Sequence, residues 1–192
     1  MPAPALTVLD DTDSAEPRPG HVLVEPLVTV LEGIAKLCPS PGNRILVIGG
    51  GTMGSLAALV LASYPVEVVV LDPTSPAHLA HLGIKTVTGL PSTGGELYDA
   101  VWECSGAQSA TEETLTCLKV GGCAVFIGVP SADTRLNVSE LALNGQSILG
   151  VRHGVDHYPA AAEFIRQHPQ QIDQLVDRVY PLTEVSAAFE RL

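Results

Sequence analysis

A chain of 192 residues with 21 acidic against 10 basic side chains has a formal charge of −11, which repels phosphate backbones and anionic membrane surfaces and argues against nucleic acid or membrane as partners. Hydrophobic residues make up 46% of the sequence and mean hydropathy is +0.28, enough for a real core, yet no apolar run reaches the roughly 18 residues of a membrane span. The N-terminal MPAPALTVLDDTD lacks the basic stretch and apolar centre of a secretory signal, and Cys38, Cys104, Cys117 and Cys123 include no C-x-x-C pair, so a cytoplasmic protein with free thiols is expected.

In chain order, residues 1–24 form a proline- and acid-rich lead-in, with one short strand expected at Leu6–Leu9. EPLVTVLEGIAKL predicts a helix from Glu25, with Pro26 at the first helical position, where its missing N–H costs nothing, and Pro39 and Pro41-Gly42 ending it. Ile45–Ile48 reads as the first buried strand. It runs into Gly49-Gly50-Gly51 and a helix over Thr52–Ser63 that contains no charged side chain. Surface helices ordinarily keep a polar face, so this one is expected to be covered on both sides, its outer face by another domain or a ligand cleft.

A second strand is expected at Val66–Leu71, a short helix at Pro76–Leu82, a weak strand at Lys85–Thr88, and a strand at Asp99–Cys104 that turns at Ser105-Gly106. Then come a helix at Thr111–Leu118 closed by Gly121-Gly122, a strand at Ala124–Val129, a helix at Val138–Leu143 and a strand at Ser147–Val151. The remaining segments are a helix at Tyr158–Gln167, an extended piece at Arg178–Leu182 and a last helix at Thr183–Leu192 capped by Thr183. Near-continuous apolar strands alternating with helices specify a parallel sheet buried on both faces. The fold class is α/β: a Rossmann-type doubly wound sheet of about six strands with helices on both faces.

Gly49, Gly51 and Gly54 stand in G-x-G-x-x-G spacing directly after the first strand. That spacing serves a tight turn, a close backbone approach to a pyrophosphate and a close helix–strand contact. Asp72 ends the second strand, 18 positions after Gly54, where a carboxylate accepts hydrogen bonds from a ribose diol; its competing reading is a strand-end turn residue before Pro73. Pro73 to Pro76 contain no Arg or Lys, so NAD is preferred over NADP. The histidine pairs His78/His81 and His153/His157 have helical spacing but no acidic or cysteine partner in a motif, and no metal role is assigned to them.

VEPLVTVLEGI, RILVIGGGTMG, the strand-end Asp72, YDAVWECSG, LKVGGCAVFIGV, SILGV and VYPLTEVSAAFERL follow one another in an order that resembles the cofactor domain and flanking joints of medium-chain dehydrogenases, most closely the zinc-dependent polyol and threonine branch. The resemblance implies a dinucleotide-binding domain over 25–177 with its leading helix, a remnant of the catalytic-domain joint over 1–24, and a C-terminal joint over 178–192. By the same resemblance Gly49, Gly51, Thr52, Met53 and Gly54 line the pyrophosphate, Asp72 the adenosine ribose, and Cys104, Ser105 and Gly106 the adenosine half. Gly128, Val129 and Arg152 fall near the nicotinamide. Each has a structural counter-reading: small residues at strand ends also make turns, and Cys104 also suits a core.

Glu25 matches a glutamate that ligates or neighbours catalytic zinc in that branch, and alternatively caps its own helix. The family holds most of its zinc ligands on an N-terminal catalytic domain, whereas the 24 residues before Glu25 include one histidine, His21, and no cysteine. Zinc is therefore not expected in this chain alone, and no catalytic residue is assigned. The function implied is an NAD(H)-binding domain of a dehydrogenase whose zinc domain lies elsewhere, on a longer or separate chain. The alternatives are a non-catalytic nucleotide-binding interaction module and an enzyme that reuses the nucleotide cleft for non-redox chemistry. A homodimer paired through the Ser147–Val151 edge strand is also expected.

Overall fold

A computed structural model describes residues 18–89 and 97–190. The expected strand at Leu6–Leu9, the rest of the lead-in before Arg18 and the last two residues of the helix expected over Thr183–Leu192 lie outside the described residues. The helices are α1 (Val24–Leu37), α2 (Thr52–Leu61), α3 (Ala77–His81), α4 (Gln108–Glu113), α5 (Val138–Leu143), α6 (Tyr158–Gln167), α7 (Pro169–Asp173) and α8 (Val185–Phe189). The strands are β1 (Arg44–Ile48), β2 (Glu67–Leu71), β3 (Lys85–Val87), β4 (Tyr98–Glu103), β5 (Leu118–Phe126) and β6 (Ser147–Gly150). They form one six-stranded sheet in the order β3-β2-β1-β4-β5-β6, every pair parallel.

Strand residues alternate between the two faces of a sheet. In β1, Ile45 and Val47 join the core cluster under α1, α2, α3 and α6, whereas Leu46 and Ile48 join the cluster on the opposite face with Leu115 and Cys117. Both sets are apolar because both faces are covered, which is why β1 reads as an unbroken apolar run. The sheet order reverses between β1 and β4, and a doubly wound sheet has its ligand crevice at that switch point, outside the carboxyl ends of the strands.

Every residue from Gly54 to Leu61 in α2 is buried. Its outer face is covered by α1 of the same chain, and Leu27, Val28, Val30 and Ile34 share one core with Leu56, Leu59 and Val60. This corrects the expectation of a covering domain or ligand cleft: a second helical layer from the chain itself supplies the cover. α1 also approaches the sheet closely at Gly33, where a Cβ would lie 2.7 Å from the Trp102 ring of β4.

Other boundaries move for local reasons. A 3-10 turn at Pro19–Leu23 precedes α1, which starts at Val24 rather than Glu25. Pro26 is thus the third helical residue, still among the positions whose N–H has no partner inside the helix. α4 begins at Gln108, and a 3-10 turn at Thr114–Cys117 feeds β5 directly. Gly121-Gly122 therefore closes no helix but lies inside β5, where the register against β4 shifts between Tyr98 and Ala100 and Gly121 adopts φ +76°. β5 ends at Phe126, leaving Gly128 and Val129 in the loop beyond it. The last helix starts at Val185 after a 3-10 turn at Leu182–Glu184. No side chain caps it, so Thr183 is not its cap.

Candidate functional site

The glycine turn follows from what lies around each glycine. Gly49 has φ +97°, and a Cβ there would stand 3.0 Å from the Ser105 backbone on the neighbouring strand end. A Cβ on Gly54 would stand 1.7 Å from the Gly49 carbonyl oxygen, so only glycine lets the first turn of α2 seat on the end of β1. Gly51 differs: it precedes α2 with no side-chain cap, and a Cβ there would meet nothing within 4 Å. The opening N–H groups of α2 are thereby presented to open space, an arrangement that favours negative charge. Met53 packs into the core while Thr52 is exposed.

Asp72, at the end of β2, ties the turn together. Its Oδ2 accepts from the Gly50 N–H at 2.7 Å, and its Oδ1 accepts from the Thr74 N–H at 2.8 Å and the Thr74 hydroxyl at 2.6 Å. Partial burial pushes its pKa up, but the Thr74 hydroxyl, the two backbone N–H donors and nearby His78 outweigh that and hold it below the ordinary aspartate value. Asp72 thus builds the strand-end turn expected of it and also lines a cleft.

That cleft, of about 300 Å³, lies between Gly49 and Asp72 on one side and Ser105, Ala107 and Ala110 on the other, with Thr88 and Gly89 at its edge. A second cavity of about 450 Å³ adjoins Gly50, Gly51 and Thr52 and is walled by Ser55, His78 and residues after α7. Neither lining includes a Lys or Arg among the described residues.

Glu103 was missed by sequence reasoning. It is fully buried at the end of β4, where its Oε1 accepts from the Ser105 and Gly106 N–H groups at 2.9 and 3.0 Å and from the Ser105 hydroxyl. A Cβ on Gly128 would meet Glu103 Oε2 at 2.3 Å, and one on Gly106 would meet the Val129 carbonyl oxygen at 2.9 Å. The loops after β4 and β5 therefore stack tightly over one buried carboxylate. The available signal was an acid inside the otherwise apolar run Ala100–Cys104.

The remaining candidates divide. Ser105 lines the smaller cleft, and Gly106, Gly128 and Val129 crowd beside it, with Val129 87% exposed. Cys104 packs against the core, lines neither cavity, and has its thiol pKa pushed far up by burial and by neighbouring Glu103. Arg152 is exposed just beyond β6, one strand over from the Gly128 loop. Glu25 does not cap α1; its Oε1 lies 3.9 Å from His153 Nδ1, both side chains more than half exposed. Catalytic zinc takes about three protein ligands, and among the described residues no group of three or more His, Cys, Asp or Glu side chains is so placed. The Glu25–His153 pair does not fit such a site.

With this geometry in hand, a family model described as a zinc-binding dehydrogenase matches residues 52–167. L-galactonate-5-dehydrogenase of Escherichia coli K12 is 24% identical over 193 residues, covering 93% of this chain and 56% of the relative. Among solved structures, an alcohol dehydrogenase of E. coli CFT073 complexed with NADH superposes with a TM-score of 0.80 at 18% identity, covering 88% of this chain and 54% of that one. The glucose dehydrogenase of Haloferax mediterranei, in complex with NADP, zinc and gluconolactone, gives a TM-score of 0.74 at 22% identity, with coverage of 87% and 54%. The chain thus spans about half the length of these relatives.

Proposed function

The chain belongs to the zinc-binding dehydrogenase family, and on that premise we propose that it holds a nicotinamide dinucleotide across the carboxyl ends of β1, β2, β4 and β5. One observation carries the reading: Gly51 opens the start of α2 to space between two cavities, with the Asp72 carboxylate beside it. The adenosine half fits the 300 Å³ cleft, its ribose hydroxyls donating to Asp72 and its diphosphate meeting the N–H groups after Gly51. The nicotinamide then extends toward Gly128, Val129 and Arg152.

NAD is preferred over NADP. A 2′-phosphate would face the ionised Asp72, and no Lys or Arg lines either cavity among the described residues. The solved neighbours span both choices, one holding NADH and one NADP. The dehydrogenated substrate is proposed to be a hydroxyl of a polyol or sugar acid, in keeping with the polyol branch that the sequence resembles and with the galactonate named for the E. coli K12 relative. Hydride transfer would then draw on zinc ligands from outside the described residues, since those residues bring no such group together. That same fact favours a second reading, a domain that binds the dinucleotide without turnover.

Polyol oxidation assayed on the 192-residue chain with added zinc, alongside NADH binding, tests what the two readings share. Binding without turnover is the expected result. Zinc-dependent turnover by the isolated chain would remove the non-catalytic reading, and absence of binding would remove both.

A further inference from the structure

We propose that Glu103 is a positioning residue of the dinucleotide site: buried behind the adenosine cleft, it holds Ser105 and Ala107 where they form its wall. The inference rests on the dinucleotide reading above and adds a residue that neither the glycine pattern nor the family match assigns.

Ser105 and Ala107 line the 300 Å³ cleft and are both exposed, so packing alone does not fix this wall. Its order comes from behind. Glu103 ends β4 and is fully buried. Two backbone N–H groups, those of Ser105 and Gly106, converge on its Oε1 at 2.9 and 3.0 Å. An oxygen that takes two N–H donors carries no proton, so the Ser105 hydroxyl donates to it as well. With its proton spent there, Ser105 Oγ accepts from the Ala107 N–H at 3.1 Å. Ala107 immediately precedes α4, and Ser109, Ala110 and Glu113 of that helix line the same cleft. One carboxylate thus sets the turn, and the turn sets the start of α4.

The turn is also seated against its neighbours. A Cβ on Gly49 would stand 3.0 Å from Ser105, so a shift of Ser105 carries into the glycine turn. On the other side, the Glu103 carbonyl oxygen accepts from the Ile127 and Gly128 N–H groups at 3.0 and 2.9 Å. A Cβ on Gly106, at φ +65°, would meet the Val129 carbonyl oxygen. Glu103 itself lines neither cavity, so any effect it has on affinity passes through the Ser105 turn. Its Oε2 makes one long contact, 3.3 Å from the Gly106 N–H. Glutamine can therefore keep the acceptor at Oε1 but turns an NH₂ donor toward that N–H. Aspartate keeps the charge and withdraws the acceptors by one methylene.

The experiment titrates NADH and ADP-ribose into the wild-type chain, Glu103→Gln, Glu103→Asp, Ser105→Ala and the Glu103→Gln/Ser105→Ala double variant. Thermal unfolding, run alongside, establishes that each is folded at the titration temperature. Glu103→Gln should bind both ligands about tenfold more weakly, the size expected for disturbed hydrogen bonds to a carboxylate. Glu103→Asp should lose as much, because the turn depends on where the acceptor sits and not on its charge alone. The double variant should bind no more weakly than the weaker single one, since Glu103 acts through Ser105. A folded Glu103→Gln or Glu103→Asp that binds as wild type leaves Glu103 a purely structural group and overturns the proposal, with the dinucleotide reading intact. Losses that multiply in the double variant overturn it too, as does a loss for NADH that ADP-ribose does not share. Should the Glu103 variants fail to fold, the exposed Ser105→Ala decides: equal weakening of both ligands supports the proposal, and wild-type affinity overturns it. Failure of the wild-type chain to bind either ligand overturns this proposal and the dinucleotide reading together.

Discussion

At the scale of single residues, Gly51 and Gly54 look alike in the sequence and do different work. An alanine Cβ at Gly54 would collide with the Gly49 carbonyl oxygen at 1.7 Å, whereas at Gly51, with φ −70°, it meets nothing within 4 Å. Gly54→Ala should therefore cost about 3 kcal/mol of stability, the high end of overpacking effects. Gly51→Ala should stay within about 0.5 kcal/mol of wild type in thermal unfolding and yet weaken NADH binding tenfold or more, because its methyl group projects where the diphosphate is proposed to lie. Equal losses of stability in the two variants would contradict this division of roles. The glycine spacing and Asp72 were legible from sequence because their meaning is local. Glu103 and the Ser55–His78 contact were not, since each depends on chain segments that only the folded sheet brings together: Glu103 under Gly128, and Ser55 against a residue 23 positions away.

At the scale of elements, the strand–helix alternation was readable because parallel strands buried on both faces carry unbroken apolar runs, as Ile45–Ile48 does. The misreadings came where covering is decided by tertiary packing. The charge-free α2 announced that both its faces were covered, and nothing local said that α1 was the cover. Gly121-Gly122 resembled a helix stop, but the pairing of Leu118 with Tyr98 draws it into β5. Asp99 makes an inter-strand clasp that also escaped notice: its Oδ2 accepts from the Arg44 N–H that opens β1 at 2.7 Å, and both its oxygens accept from Lys119 of β5 at 2.9 Å. Burial raises its pKa, but these donors outweigh it and leave the group below the ordinary aspartate value. A depressed folded-state pKa contributes stability that is present above the unfolded value of about 4 and lost as pH falls through the folded one. Chemical denaturation from pH 7 to pH 2 should show that loss in wild type. Asp99→Asn should be less stable at neutral pH and show a shallower decline in acid; an unchanged acid limb would count against the clasp.

At the scale of the whole molecule, the chain presents a family-typical sheet over about half the length of its relatives, and β6 forms one sheet edge with Ile148 38% exposed. An open edge strand bearing apolar side chains is an association site, and a second copy of this chain paired there is the proposed occupant. Sedimentation of the wild-type chain at micromolar concentration should show a dimer that Ile148→Lys shifts toward monomer; a monomeric wild type would refute the pairing. The dinucleotide itself is the claim on which the rest depends, and calorimetric titration of NADH into the full 192-residue chain tests it most directly. The account predicts saturable binding of one NADH per chain, competed by ADP-ribose and weakened in the still-folded Gly51→Ala variant. No saturable heat at cofactor concentrations up to about 1 mM, which corresponds to binding weaker than about 4 kcal/mol, would contradict it.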